Sequence, residues 1–307
     1  MENYNLIKIG QTVVQNPQQA IEWAKKNGLL PQQRECRRCR VPMTIRTDKG
    51  AGQFRCQKCN GPSHAVTDGT WFEGIRSVDM VAKGILLTYT FACGFSQNQA
   101  IRESTLTGTG EITSSATVVD WYSYCREVCT IALDAMYAES GPLGGPGHVI
   151  ECDEMKLGRR KYQHGRVVEG SWILGLIDIE TNEVRLEICP DNKRDANTLL
   201  GLIQKHVLPD TMLFTDLWKG YNNLSENGFQ HMCVNHSLRF VTDEGVNTNK
   251  IESQWRPIRQ RLARGGVQKE KLADHLCEFL WRRDVRRRDV DYFNNILDHI
   301  RNQFPGH

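Results

Sequence analysis

The sequence predicts an α/β chain: a mixed five-stranded sheet with helices on its faces, preceded by a zinc ribbon and a helix-turn-helix-like helical region. Three observations predict it. Four cysteines fall in two CxxC pairs, "CRRC" and "CQKC", with sixteen residues between them. From residue 148 onward, short apolar runs alternate with amphipathic stretches of helical period. Net positive charge is concentrated in two blocks, residues 34–59 and 256–288. The implied organisation is an N-terminal helical segment (1–33), the ribbon (34–76), the helical region (77–138), a linker (139–147), the main α/β domain (148–290) and a C-terminal helix (291–307).

The first helix carries its own punctuation. In "NPQQAIEWAKKNG", Asn16 suits the cap, Pro17 the first helical position and Gly28 the end. The ribbon follows. Two knuckles of this spacing bring Cys36, Cys39, Cys56 and Cys59 into a tetrahedron around one Zn²⁺. Four protein sulfurs leave no open position for a substrate, so the ion is structural. The segment has few large apolar residues, and its folding depends on the metal.

Between Ser77 and Val128 the pattern is helical. Val78, Val81, Ile85 and Tyr89 recur at three- and four-residue steps, "SQNQAIRE" follows with Ser96 as a cap, and "SSATVVDWYSYCREV" repeats Val118, Trp121 and Cys125. Three such helices suit a helix-turn-helix whose third member enters the major groove; a plain three-helix packing unit has the same pattern. "ESGPLGGPG" is rich in turn residues and reads as the linker.

In the main domain, "HVIECDE", "SWILGLIDIE" and "EVRLEICP" read as three strands, with a tight turn between the last two. "DANTLLGLIQKHVLP" is an amphipathic helix that Asp195 can cap; "TMLFTD" is a strand, "LWKGYNNLSENG" a helix ending at Gly228, and "FQHMCVN" a fifth strand. An antiparallel start with a helical crossover into a parallel partner gives a mixed sheet.

Two of these strands end alike, in an apolar run followed by aspartate: Asp153 and Asp216. Neighbouring strands of such a sheet present their last residues side by side, and two carboxylates there repel unless a divalent cation lies between them. Hard oxygen ligands select Mg²⁺ or Mn²⁺. Glu252 opens the next helical stretch, "NTNKIESQWRPIRQRL", where Ile251 and Trp255 mark an apolar face. Three carboxylates can hold two metal ions about 4 Å apart. Pro257 follows Glu252 by five residues; if the helix begins near Ser253 the ring sits in the tolerant first turn, and otherwise it is interior. Glu154 should point to the opposite side of its strand from Asp153, at the surface or behind the site. His236, after the fifth strand, could orient a water or touch a phosphate, and a structural hydrogen bond serves equally well.

The chain's net charge is +3, yet residues 34–59 carry a local +6 and residues 256–288 a local +7, which leaves −10 for the rest. Positive charge so concentrated points to nucleic acid. The candidate phosphate contacts are Arg37 and Arg38 in the ribbon, Lys156, Arg159, Arg160 and Lys161 after the first acid, and Arg256, Arg259, Arg261 and Arg264 after the third. No apolar run approaches bilayer length, the opening "MENYNLIKIGQ" lacks the pattern of a secretory signal, and eleven cysteines without one indicate a reducing compartment.

Several of these stretches also carry a resemblance. "DEMKLGRRKYQHGRVVEGSWILGLID", "FTDLWKGY", "VNHSLRFV" and "TNKIESQWRPIRQRL" resemble the catalytic core of Merlin-type DDE transposases and their bacterial insertion-sequence relatives, from about Val149 to Arg283. The amino-terminal half resembles that family's zinc ribbon and helical region. The resemblance implies a ribonuclease-H-like fold, Mg²⁺-dependent cleavage and strand transfer on double-stranded DNA, recognition of terminal inverted repeats, and Asp153, Asp216 and Glu252 as the three acids. Paired-end chemistry implies at least a homodimer on DNA. Kinship to the eukaryotic branch, which the wording of "VNHS" and "IESQW" suggests, implies the nucleus; a bacterial copy would be cytoplasmic. The competing expectations are a transposase-derived DNA-binding regulator that no longer cuts, and a ribonuclease-H-like nuclease or resolvase without transposition.

Overall fold

The structure, a computed structural model, describes residues 4–14, 16–47, 50–59, 61–106, 112–158, 170–234, 247–262 and 267–305. The chain divides into two units. One comprises residues 1–132 with 281–307, and the other residues 133–280.

In the first unit, α1 (Leu6–Ile9) leads through a π-helical turn to α2 (Pro17–Lys26), whose cap Asn16 accepts the Gln18 N–H. Three short antiparallel strands, β1 (Thr44–Arg46), β2 (Gln53–Arg55) and β3 (His64–Ala65), form the ribbon sheet. The expected helices follow as α3 (Val78–Ala92), α4 (Gln97–Ser104, closed by a capping box at Ser96 and Gln99) and α5 (Ser115–Ser140). The last is 26 residues long, well beyond the expected end near Val128. Trp121 and Tyr122 of α5 hydrogen-bond Thr88 and Thr90 of α3. The C-terminal helix α9 (Tyr292–Gln303) also belongs to this unit, where Phe293 packs on Trp23 and Tyr89.

The second unit is built on β4 (Val149–Leu157), β5 (Ser171–Asp178), β6 (Val184–Ile188), β7 (Met212–Thr215) and β8 (Gln230–Cys233), in the order β6-β5-β4-β7-β8. β4, β5 and β6 pair antiparallel, and β4, β7 and β8 pair parallel. This is the expected mixed five-stranded sheet. One face is covered by α6 (Ala196–His206), capped by Asp195, whose Leu199 and Ile203 pack with Ile150, Cys152, Leu174, Leu176 and Tyr221. Helix α7 (Asn249–Leu262) lies against β4 and β5, and α8 (Leu272–Arg287) follows it.

Three stretches differ from the expectation. The segment after Asp216 is not a helix but two short 3-10 turns, Lys219–Tyr221 and Ser225–Asn227. Asp216 accepts the Trp218 N–H and Asn227 donates to the Asn223 carbonyl, so local side-chain bonds take over the groups that an α-helix needs. The stretch 139–147 does not hang free: Leu143 bridges to Val207 and the Gly145 N–H donates to Thr211 Oγ1. Helix α7 starts at Asn249, four residues before the alternative in which Pro257 is tolerated, so the ring is interior. Among the described residues, no helix is long and apolar enough to cross a membrane.

Candidate active site and metal centre

Strand β4 supplies acids to both faces of the sheet. Its register with β7 runs Val149↔Met212, Ile150↔Leu213 and Glu151↔Phe214. Carried two residues past the last pair, the same register would bring Asp216, the residue after β7, opposite Asp153 within β4. Asp153 points to the face that α7 covers, where it meets Trp255, and opposed strand residues share a face.

Three contacts dock α7 there. The indole N–H of Trp255 donates to Asp153 Oδ2 at 2.6 Å. The backbone N–H of Ile251 donates to Glu151 Oε2 at 3.0 Å. Gly175, the β5 partner of Asp153, leaves the space that makes this approach possible, since a Cβ there would lie 2.3 Å from the Trp255 ring and 2.8 Å from Ile251 Cδ1. Glu252 occupies the first turn of α7, where its Oε1 accepts the Thr248 hydroxyl at 2.8 Å.

The charges are crowded. Burial pushes the Asp153 carboxyl up to about 6; the Trp255 N–H opposes the rise, while Asp216 and Glu252 add to it. Both other acids of the expected trio therefore act on Asp153. The trio is nonetheless open: among the described residues, the one group of three or more such donors whose ligand atoms all lie within 4.8 Å is the four-cysteine cluster.

On the opposite face, Glu154 is sealed from solvent, with its side chain 1% exposed, and pairs at 3.7 Å with Arg194. Burial pushes it up to about 7. Arg194 is held between two indoles, 4.0 Å from the Trp172 ring centroid and 3.9 Å from that of Trp218. The Trp218 Nε1–H donates to the Arg194 carbonyl, and the Trp218 N–H caps Asp216. Glu154 thus reaches the turn that carries Asp216 from behind, through Arg194 and Trp218.

Sequence reasoning missed four residues of this arrangement: Glu151, Trp255 as a polar partner, Gly175 and Arg194. The i, i+2 spacing of Glu151 and Asp153 was the available signal, since it puts both on one strand face. Of the expected cations, Arg256 and Arg259 are exposed on α7 and make no ion pair among the described residues. Arg261 pairs with the buried Glu278 of α8, a structural tie that its position in the sequence did not reveal. Lys156 lies over the Trp172 ring at 5.5 Å, and Arg37 and Arg38 are exposed. Arg159, Arg160, Lys161, Arg264 and His236 lie outside the described residues.

In the ribbon, Cys36, Cys39, Cys56 and Cys59 converge, with Sγ···Sγ distances of 3.5 Å for Cys36–Cys59, Cys39–Cys56 and Cys56–Cys59. Tetrahedral zinc–sulfur bonds of about 2.3 Å place sulfurs about 3.8 Å apart, so the cluster has the size such an ion needs. Backbone N–H groups of the knuckles aim at the sulfurs: the Cys59 N–H holds Cys56 down to about 6, and those of Cys39 and Arg38 lower Cys36. Gly61 sits against the Cys36 and Cys59 sulfurs, where a Cβ would lie 3.3 Å from each.

The ISXO2-like transposase domain family matches residues 142–284, the span of the five-stranded sheet with α7 and most of α8. A Haemophilus influenzae protein described as transposase-like and uncharacterised is 33% identical over 86 residues, covering 28% of this chain and 69% of that protein. Among solved structures, the catalytic core domain of BIV integrase aligns over 51% of this chain and 98% of its own, at 14% identity and a TM-score of 0.30, a likeness too slight to argue from. By its family match and its Haemophilus relative, the chain belongs to the ISXO2-like, DDE-type insertion-sequence transposases.

Proposed function

We propose that this transposase cleaves the ends of its element and joins the freed 3′-hydroxyl to target DNA, a cut-and-paste reaction that uses Asp153, Asp216 and Glu252. The observation that supports this reading most is that Asp216 and Glu252 both act on the buried Asp153 carboxyl, on a strand whose parallel register with β7 leads toward Asp216.

The donor set is all carboxylate oxygen, which suits Mg²⁺ or Mn²⁺, and the upward push on Asp153 is what a bound cation would offset. Two such ions supply activation of the attacking oxygen and neutralisation of the departing one. The protein's part is positional. Trp255 orients Asp153, the Trp218 N–H orients Asp216, and Thr248 orients Glu252. Arg256 and Arg259, one and about two turns beyond Glu252, are placed to grip flanking phosphates. In the ribbon, the four cysteines hold one structural Zn²⁺, and Arg37 and Arg38 beside them engage the duplex. The exposed part of α5 carries Asp120 and Glu127, so contacts from its N-terminus fall to the hydroxyls of Ser114, Ser115 and Thr117 and to backbone N–H groups. Terminal inverted repeats and target DNA are the partners, with a homodimer assembled on them.

The test is incubation of the purified chain with the element's terminal repeats in Mg²⁺ or Ca²⁺. Nicking in Mg²⁺ alone, lost in Asp153→Asn and Asp216→Asn with DNA binding kept, is the expected result. Unaltered cleavage in both variants would discard the assignment. Binding without cleavage by the unmodified chain would favour a regulator.

A further inference from the structure

A buried acid at the head of α7 has no part in the chemistry proposed above. Glu151 is 2% exposed. A carboxylate in such a place is costly unless donors meet it, and an aliphatic residue would pack a strand interior better. The donors come from the first turn of α7. The Ile251 N–H reaches Glu151 Oε2 at 3.0 Å, and the Lys250 N–H also aims at it.

The first N–H groups of a helix lack intrahelical partners. Here the Asn249 N–H goes to Asn247 Oδ1, that of Ile251 goes to Glu151 and that of Lys250 aims at the same carboxylate, while the Glu252 N–H opens the helical ladder on the Thr248 carbonyl. Glu151 therefore caps the helix from a neighbouring strand, and the N–H groups at the helix start offset part of the cost of burying it. The next residue along is Glu252, and one turn later Trp255 meets Asp153. The two clamps use acids two residues apart on β4 and helix positions four apart on α7, so together they set the rotation and height of α7 on the sheet.

We propose that Glu151 is a positioning residue for the third acid: its carboxylate fixes the first turn of α7 so that Glu252 projects toward Asp153 and Asp216. The proposal rests on the reading of those three acids as the cation site. The role belongs to the acceptor oxygens and not to the charge as such. Glutamine at this position can still accept one of the two N–H groups; alanine accepts neither, and aspartate is one methylene too short.

The experiment is an Mn²⁺ titration of the full, zinc-loaded chain, read by the electron paramagnetic resonance signal of free Mn²⁺, together with amide exchange of peptides covering residues 247–262. In the unmodified chain Mn²⁺ binds, and Asp153→Asn weakens it. Glu151→Ala and Glu151→Asp should each weaken Mn²⁺ about 10–100-fold, the range for residues that support metal ligands, and speed exchange at the head of α7. Glu151→Gln should stay within about threefold of the unmodified chain. Mn²⁺ affinity unchanged in Glu151→Asp, or in a folded Glu151→Ala, would overturn the positioning role while leaving the acid trio standing. Glu151→Gln as weak as Glu151→Ala would show that charge and not hydrogen-bond acceptance is at work, and would also overturn it. No Mn²⁺ binding by the unmodified chain, or binding indifferent to Asp153→Asn, would overturn the reading of the trio itself.

Discussion

Replacing Asp153 with asparagine should make the protein more stable and inactive at once. Burial and the neighbouring charges push the Asp153 carboxyl from its ordinary 3.8 up to about 6. An acid whose folded value is raised binds its proton more tightly in the fold than in the unfolded chain. It therefore costs stability as pH climbs through the interval between the two values, and the full cost persists above the higher one. At about 1.36 kcal/mol per unit, the cost is about 1.6 kcal/mol at pH 5 and about 3 kcal/mol at pH 7.5. These are upper limits, because Asp153 keeps some contact with solvent. Asparagine is never charged and its Oδ1 can still accept the Trp255 N–H, so the variant escapes the charge penalty while keeping the clamp.

Urea unfolding of both proteins at pH 5.0 and pH 7.5, with zinc bound and no other divalent ion, measures the effect. Asp153→Asn should be the more stable at pH 7.5 by up to about 3 kcal/mol, and the margin should shrink by about 1.4 kcal/mol at pH 5.0. Mn²⁺ at about 100 times its dissociation constant adds about 2.7 kcal/mol to the unmodified chain, enough to cancel most of the margin, and adds little to the variant. A variant less stable at pH 7.5, or a margin that does not widen with pH, would refute the claim that the site crowds its charges in readiness for a cation.

Gly175→Ala drives a methyl into Trp255 and Ile251; expect a loss of about 1–3 kcal/mol or more in thermal unfolding, with cleavage reduced because α7 is lifted from Asp153. Arg194→Ala leaves Glu154 buried without its cation and unstacks Trp172 and Trp218, so it should cost about 3–5 kcal/mol at pH 8. Because Glu154 protonates near pH 7, that loss should lessen on acidification, and a double-mutant cycle with Glu154→Gln should show coupling. Stripping zinc with a chelator should open residues 34–76 to limited proteolysis while the five-stranded sheet stays protected. Arg256→Gln with Arg259→Gln should reduce the log–log salt slope of DNA binding by about 2, near 0.9 for each phosphate that is no longer neutralised.

How much of this was legible depended on whether the signal was local. The cysteine knuckles announce themselves because metal ligation fixes the spacing. The strands announce themselves because β5, buried on both faces, must be apolar almost throughout its "SWILGLID" run. The two aspartates stood out because each closes a short stretch of buried-type residues, "VIECD" and "LFTD". What escaped was set by partners far along the chain. Trp255 looked like a core residue, and only its distance to Asp153, 102 positions earlier, gives its N–H a purpose. Arg185 drew no attention in the sequence, yet it is 2% exposed and stacks 3.6 Å from the Tyr137 ring centroid. The helix expected after Asp216 failed for the opposite reason. Its apolar spacing was adequate, but aspartate and asparagines at short range offered the backbone better partners than the next turn of an α-helix did.

Strand β4 carries three acids in four residues, Glu151, Asp153 and Glu154, and the fold treats each differently. A strand alternates its faces, so Glu154 is sent away from the other two and meets Arg194, while Glu151 and Asp153 share the face under α7. Burial pushes the Glu151 carboxyl up, and the N–H groups of a helix start offset part of that push. Asp153 finds one indole N–H and two further carboxylates, which is too little to satisfy it. Stability alone would favour removing that imbalance, and either an arginine or a neutral residue at Asp216 or Glu252 would remove it. A capping acid, a Gly175 gap and a tryptophan hold α7, which bears Glu252, over Asp153, and under the proposed reading a cation bound there would relieve the crowding.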